Sequence, residues 1–168
     1  MSPIRHGSDR FNQEAIGGPI ADRIYHSIFG PEATIERTHG NQLDREFSID
    51  VIIRSPDLMP VTIQEKFLSF EYATFRSLTV EYMQDHKNNE KGNWFHLACQ
   101  LYLVGYLTED ESDFLPWVLV DVVKLNIATV KKEVLWKTNI NKDGRAKASF
   151  RYTVMDSLPG YCIIASEL

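Results

Sequence analysis

Ile20, Ile24 and Ile28 recur every four residues, with Ala21, Tyr25 and Phe29 beside them, and that spacing lays an apolar stripe along one face of a helix. Gly30-Pro31 stops the pattern and Gly17-Gly18-Pro19 precedes it as punctuation, so a helix is predicted over residues 19–29, behind a loosely ordered arm at 1–16. Extended segments follow. Residues 33–37 can form a short strand, His39-Gly40-Asn41 turns the chain, and 47–53 is rich in β-branched residues. Ser55 to Pro60 breaks that strand, and 61–67 resumes it. An aromatic-rich stretch then leads to an extended piece at 79–82, a polar loop at 84–92 and a helix over about 93–100. A buried strand at 101–107 and its hairpin partner at 115–120 flank a polar turn, 122–130 reads as helical, and 148–154 and 161–165 have strand character. The resulting order is helix, three strands, helix, strand, which is an α/β (α+β) fold with a central mixed sheet flanked by helices.

At 168 residues, with 43% hydrophobic and 24% charged positions, the chain has the apolar content to bury a full core and is read as a single domain over 1–168. Residues 19–130 form its core, and 131–168 a basic C-terminal extension. No run approaches the roughly 18 consecutive apolar residues of a membrane span, and the opening residues lack a secretory plan, so the expected location is cytoplasmic. Cys99 and Cys162 lie in apolar stretches without CxxC pairing and are expected as buried thiols. The five histidines show neither HxH nor HExxH spacing, which removes the common zinc-enzyme patterns. A net charge of -5 argues mildly against phosphate binding. Its distribution is uneven, however, with seven basic residues (Lys131, Lys132, Lys137, Lys142, Arg145, Lys147, Arg151) against two acidic ones between 131 and 151. That segment is a candidate phosphate-facing patch, or a solvated stretch balancing acidic charge elsewhere.

The chemically informative stretch is IDVIIRSPDLMPVTIQEKF, residues 49–67. Side chains alternate across a strand, so Gln64 and Lys66 share one face while Ile63 and Glu65 take the other. If the two strands pair as neighbours, Asp50 comes opposite Gln64, with Ile49, Val51 and Ile53 turned into the core beside Val61 and Ile63. Phosphodiester hydrolysis needs a hard cation to polarise a phosphoryl oxygen and activate water, and such a cation takes oxygen ligands. Asp50 offers a carboxylate, Gln64 an amide oxygen and Glu65 its backbone carbonyl. Lys66 then places a compact positive charge where the attacking water and the pentavalent transition state need it. An aspartate followed by Asp/Glu/Gln-x-Lys arises by chance about once in such a chain, and Asp85-His86-Lys87 is a decoy of that kind. The match at Asp50, Gln64 and Lys66 differs in lying on two consecutive predicted strands after a helix.

These residues resemble the core of the PD-(D/E)XK nuclease superfamily, and the Gln-x-Lys form is similar to its Mrr-like restriction endonuclease branch. Asp50 matches the family's aspartate, Gln64 its second ligand position and Lys66 its lysine, over roughly residues 19–70 with a plausible αβ continuation to about 130. The resemblance implies a restriction-endonuclease-like core, a Mg²⁺ (or Mn²⁺) cofactor and a DNA substrate, duplex or branched. A single compact domain of this kind would cut both strands as a homodimer or with a partner. Asp22 on the first helix is a candidate additional acidic group, or a surface residue. Asn139, Asn141, Lys147 and Arg151 are the candidate nucleic-acid contacts. Trp94, Phe95, Trp117 and Trp136 invite base stacking, although core packing is the commoner use of such residues. Two other readings stand beside the nuclease. One is a catalytically inactive DNA-binding or scaffolding protein that retains the fold; the other is an α/β protein with no nucleic-acid role.

Overall fold

The alternation around residues 50–67 becomes the centre of a six-stranded mixed sheet. The structure, a computed structural model, describes residues 8–140 and 148–168, with side chains from residue 12 onward. Strands β1 (Thr34–Arg37), β2 (Val51–Arg54) and β3 (Val61–Leu68) form an antiparallel meander, and β6 (Leu101–Leu107) runs parallel to β3. Two antiparallel neighbours, β7 (Phe114–Asp121) and β10 (Ile163–Glu167), complete the order β1-β2-β3-β6-β7-β10. A second, antiparallel sheet has the order β5-β4-β9-β8, from β4 (Ser77–Asp85), β5 (Glu90–Lys91), β8 (Lys137–Ile140) and β9 (Ser149–Val154). The chain is therefore α+β. Among the described residues, no helix is long and apolar enough to cross a membrane.

Helix α1 (Ser8–Phe29) packs Ile20, Ala21, Ile24 and Tyr25 against Val51, Ile53, Ile63, Phe67 and Leu103 on one face of the main sheet. It begins well ahead of the expected residue 19, and Pro19 lies inside it. The reason is close approach: a Cβ added at Gly17 would lie 2.4 Å from the Phe67 ring, so the glycines that read as punctuation instead let the helix backbone meet β3. The expected loose arm is therefore replaced by helix from Ser8 onward, and residues 1–7 lie outside the described residues.

The opposite face carries Tyr102, Val104, Val118 and Val120, covered by α3 (Val122–Val130) and by Leu78 and Val80 of the second sheet. Here the expected helix between the third strand and its parallel neighbour is absent. The crossover runs instead through a 3-10 turn at Phe70–Phe75, then β4, β5 and a three-residue 3-10 turn at Asn93–Phe95. Residues 97–100 cannot continue a helix, because the Ala98 and Gln100 amides donate to the Phe47 and Thr62 carbonyls at 3.1 and 3.0 Å. Between β1 and β2 a short helix, α2 (Gln42–Phe47), replaces the expected start of the second strand. Asn41 caps it by accepting from the Leu43 and Asp44 amides, and Ser48 ends it in the left-handed region at φ 51°. That irregular exit sends Ile49 into the cluster with Ile52 and Tyr102 rather than the one holding Val51 and Ile53.

Candidate active site

Asp50 sits one residue before β2, and its amide still donates to the Ile63 carbonyl at 2.9 Å. With Val51 opposite Ile63, one step along the ladder puts Asp50 opposite Gln64, as the alternation requires. Its Oδ2 accepts from Gln64 Nε2 at 2.5 Å and from the Glu65 amide at 2.8 Å. Gln64 Nε2 also donates to the Glu65 carbonyl at 3.2 Å. Three residues therefore meet around one amide nitrogen, which bridges a carboxylate oxygen and a carbonyl oxygen.

Gln64 is only 5% exposed, and its Oε1 is buried without a hydrogen-bond partner. An orphaned buried acceptor costs about 1–3 kcal/mol. Turning the amide by 180° puts Oε1 with the Asp50 and Glu65 oxygens, an all-oxygen set that is repulsive by itself and suited to a hard cation. With the amide so turned, Asp50, Gln64 and the Glu65 carbonyl would present three oxygen donors of the kind a hard cation takes. Among the described residues, no group of three or more His, Cys, Asp or Glu is placed to hold a metal, so this mixed set of one carboxylate, one amide and one carbonyl is what the site offers.

Burial raises the Asp50 carboxyl to about 7, opposed by the Glu65 amide that donates to it and reinforced by the carboxylates of Glu65, Asp44 and Glu14. A carboxyl so poised holds its proton more readily than an exposed one, and a cation beside it reverses that preference.

Lys66 lies on the Gln64 face of β3, and its Nζ stands 4.6 Å from the centroid of the Phe150 ring on β9. Phe150 pairs across strands with Glu81 of β4 and Asn139 of β8, so these three side chains share one face of the second sheet. Asn139 is thereby on the wall that meets Lys66. Arg151 points to the other face, its guanidinium held 4.3 Å from the Tyr82 ring and 4.6 Å from that of Trp94. Trp94 and Trp136 pack edge to face at 4.9 Å against the core, and Trp117 packs against the α1 side. Asn141 and Lys147 lie outside the described residues, as do Lys142 and Arg145.

On the α1 face, sequence reasoning missed a network behind the site. The Glu65 side chain, 7% exposed, accepts from Tyr25 OH at 2.8 Å and from Arg37 at 2.6 Å. Arg37 also donates to Asp22 at 2.6 Å and to the Gly18 carbonyl at 3.1 Å. The structure therefore brings Asp22 to Arg37 rather than to Asp50. Burial raises the Glu65 carboxyl, with Arg37 the main opposing influence; burial also drives the Tyr25 hydroxyl well above its ordinary value. The signal that could have revealed this network was a charged residue, Glu65, at an in-facing position between Ile63 and Phe67. No family model, curated protein or solved structure matches this chain.

Proposed function

We propose that this chain is a Mg²⁺-dependent DNA endonuclease of the PD-(D/E)XK type, with Asp50, Gln64, Glu65 and Lys66 as its working residues. The observation that carries the reading is the meeting of Asp50 Oδ2, the Gln64 amide and the Glu65 carbonyl on paired strands, with Lys66 on the same strand face as Gln64. The surrounding order supports it: α1, a three-strand meander, then a strand parallel to the third, which accords with a restriction-endonuclease-like core. The departure is the crossover, where a small sheet stands in place of a helix.

When bound, the cation would supply Lewis-acid polarisation of the phosphoryl group and a more acidic water. The chain's own residues do the rest. Asp50 and Gln64 orient the oxygen set, the Glu65 carbonyl is fixed by the strand, and the Lys66 ammonium offsets charge developing on the phosphoryl oxygens. Asn139, paired with Phe150 on the facing wall, would donate to a backbone phosphate.

A second reading, an inactive DNA-binding protein, draws on the neutral Gln64 and on an Asp50 that burial disposes to keep its proton. Cleavage of plasmid, linear, single-stranded and branched DNA in Mg²⁺, Mn²⁺ or EDTA separates the two. The nuclease requires metal and both Asp50 and Lys66, whereas the scaffold binds DNA without either and leaves it intact.

A further inference from the structure

The second sheet lies mostly beyond the segment that resembles a nuclease core, yet one of its side chains reaches the site. We propose that Phe150 is the positioning residue for Lys66, its ring holding the ammonium on the side of the sheet that carries Gln64; this rests on the nuclease reading of Asp50, Gln64 and Lys66.

A lysine head on a four-carbon stem has much rotamer freedom to lose before it can serve one geometry. The face of an aromatic ring attracts such a cation, and a centroid distance of 4.6 Å is well inside the roughly 6 Å range of that attraction. The ring itself is held. Phe150 sits on β9 between β4 and β8, and β4 is tied to the main sheet by two tyrosine hydroxyls. Tyr102 OH donates to the Thr79 carbonyl at 2.6 Å. Tyr106 OH donates to the Ser77 carbonyl at 2.8 Å and accepts from the Ser77 amide at 3.2 Å. Tyr102 is the residue paired with Gln64 in the β3–β6 ladder. A short structural path therefore runs from Gln64 through Tyr102, Thr79, β4 and Phe150 back to Lys66, joining the oxygen set and the ammonium through the second sheet.

The ring acts through Lys66 and not on the metal or the DNA. Phe150→Leu keeps an apolar side chain but removes the π face, while Phe150→Tyr keeps the face. The expected result is a kcat about two- to thirtyfold lower in Phe150→Leu, restored in Phe150→Tyr. The Mg²⁺ midpoint and DNA Kd should stay within about twofold of wild type in both variants. Wild-type kcat in Phe150→Leu, or an equal loss in Phe150→Tyr, overturns the proposal.

A second measurement is independent of turnover. With ε-¹³C-labelled lysine, the Lys66 signal, assigned by Lys66→Arg, should be displaced by the ring, lose that displacement in Phe150→Leu and regain it in Phe150→Tyr. A wild-type protein that cuts no DNA overturns the nuclease reading, and the Lys66 signal then decides the clamp alone. A displaced signal sustains the contact; an undisplaced one overturns it.

Discussion

Asp50→Asn should stabilise the metal-free protein at alkaline pH. The unfolded chain ionises this carboxyl near 3.8, whereas the folded protein holds its proton to about 7, chiefly because of burial. Its contribution to stability is thus intact below 3.8, declines between 3.8 and about 7, and is lost above that. At 1.36 kcal/mol per pH unit the loss has a ceiling of roughly 4 kcal/mol, and relaxation around a partly buried group brings the expected figure to about 2–3 kcal/mol. Asparagine keeps the acceptor that Gln64 Nε2 and the Glu65 amide use but carries no charge at any pH. Urea unfolding in EDTA should therefore show little difference between variant and wild type at pH 4 and a gain of about 2–3 kcal/mol for the variant at pH 8. Saturating Mg²⁺ should then raise wild-type stability by mass action and leave the variant unchanged. A gain equal at both pH values, or none at pH 8, would refute the electrostatic account of Asp50.

Gln64→Glu should bind Mg²⁺ about tenfold more tightly in calorimetry, since a second carboxylate joins the oxygen set; it should also destabilise the metal-free protein, where two carboxylates would face each other. Unchanged affinity would remove Gln64 from the ligand set. Arg37→Met should cost about 2–3 kcal/mol in urea unfolding, below the 3–5 of a fully buried pair because Arg37 is 36% exposed and Tyr25 still donates to Glu65. Adding Glu65→Gln should recover part of that loss, and strict additivity of the two changes would deny the coupling.

The pairing of Asp50 with Gln64 was legible where side chains followed the period of two. Asp50, one residue ahead of β2, meets Gln64 of β3 by pairing of neighbours in sequence, and Lys66 follows on the Gln64 face, without long-range information. Glu65's partners were hidden because Tyr25 and Arg37 reach it only after α1 and β1 have packed. Phe150 was hidden for the same reason, since its approach to Lys66 depends on the edge of β4 docking onto Tyr102 and Tyr106. The helix expected over 93–100 failed because the amides of Ala98 and Gln100 are taken by Phe47 and Thr62, a tertiary demand that local pattern does not carry. The helix start expected at Gly17-Gly18-Pro19 failed on the same principle, close packing of Gly17 on Phe67 overriding a local signal.

The most direct test of the account is DNA cleavage by wild type, Asp50→Ala and Lys66→Ala in Mg²⁺ against EDTA. The account predicts metal-dependent cutting by wild type, loss of both metal response and cutting in Asp50→Ala, and a fall of at least about a hundredfold in Lys66→Ala with Mg²⁺ binding retained. Equal cutting by Asp50→Ala and wild type, or intact DNA under every metal condition, would contradict it.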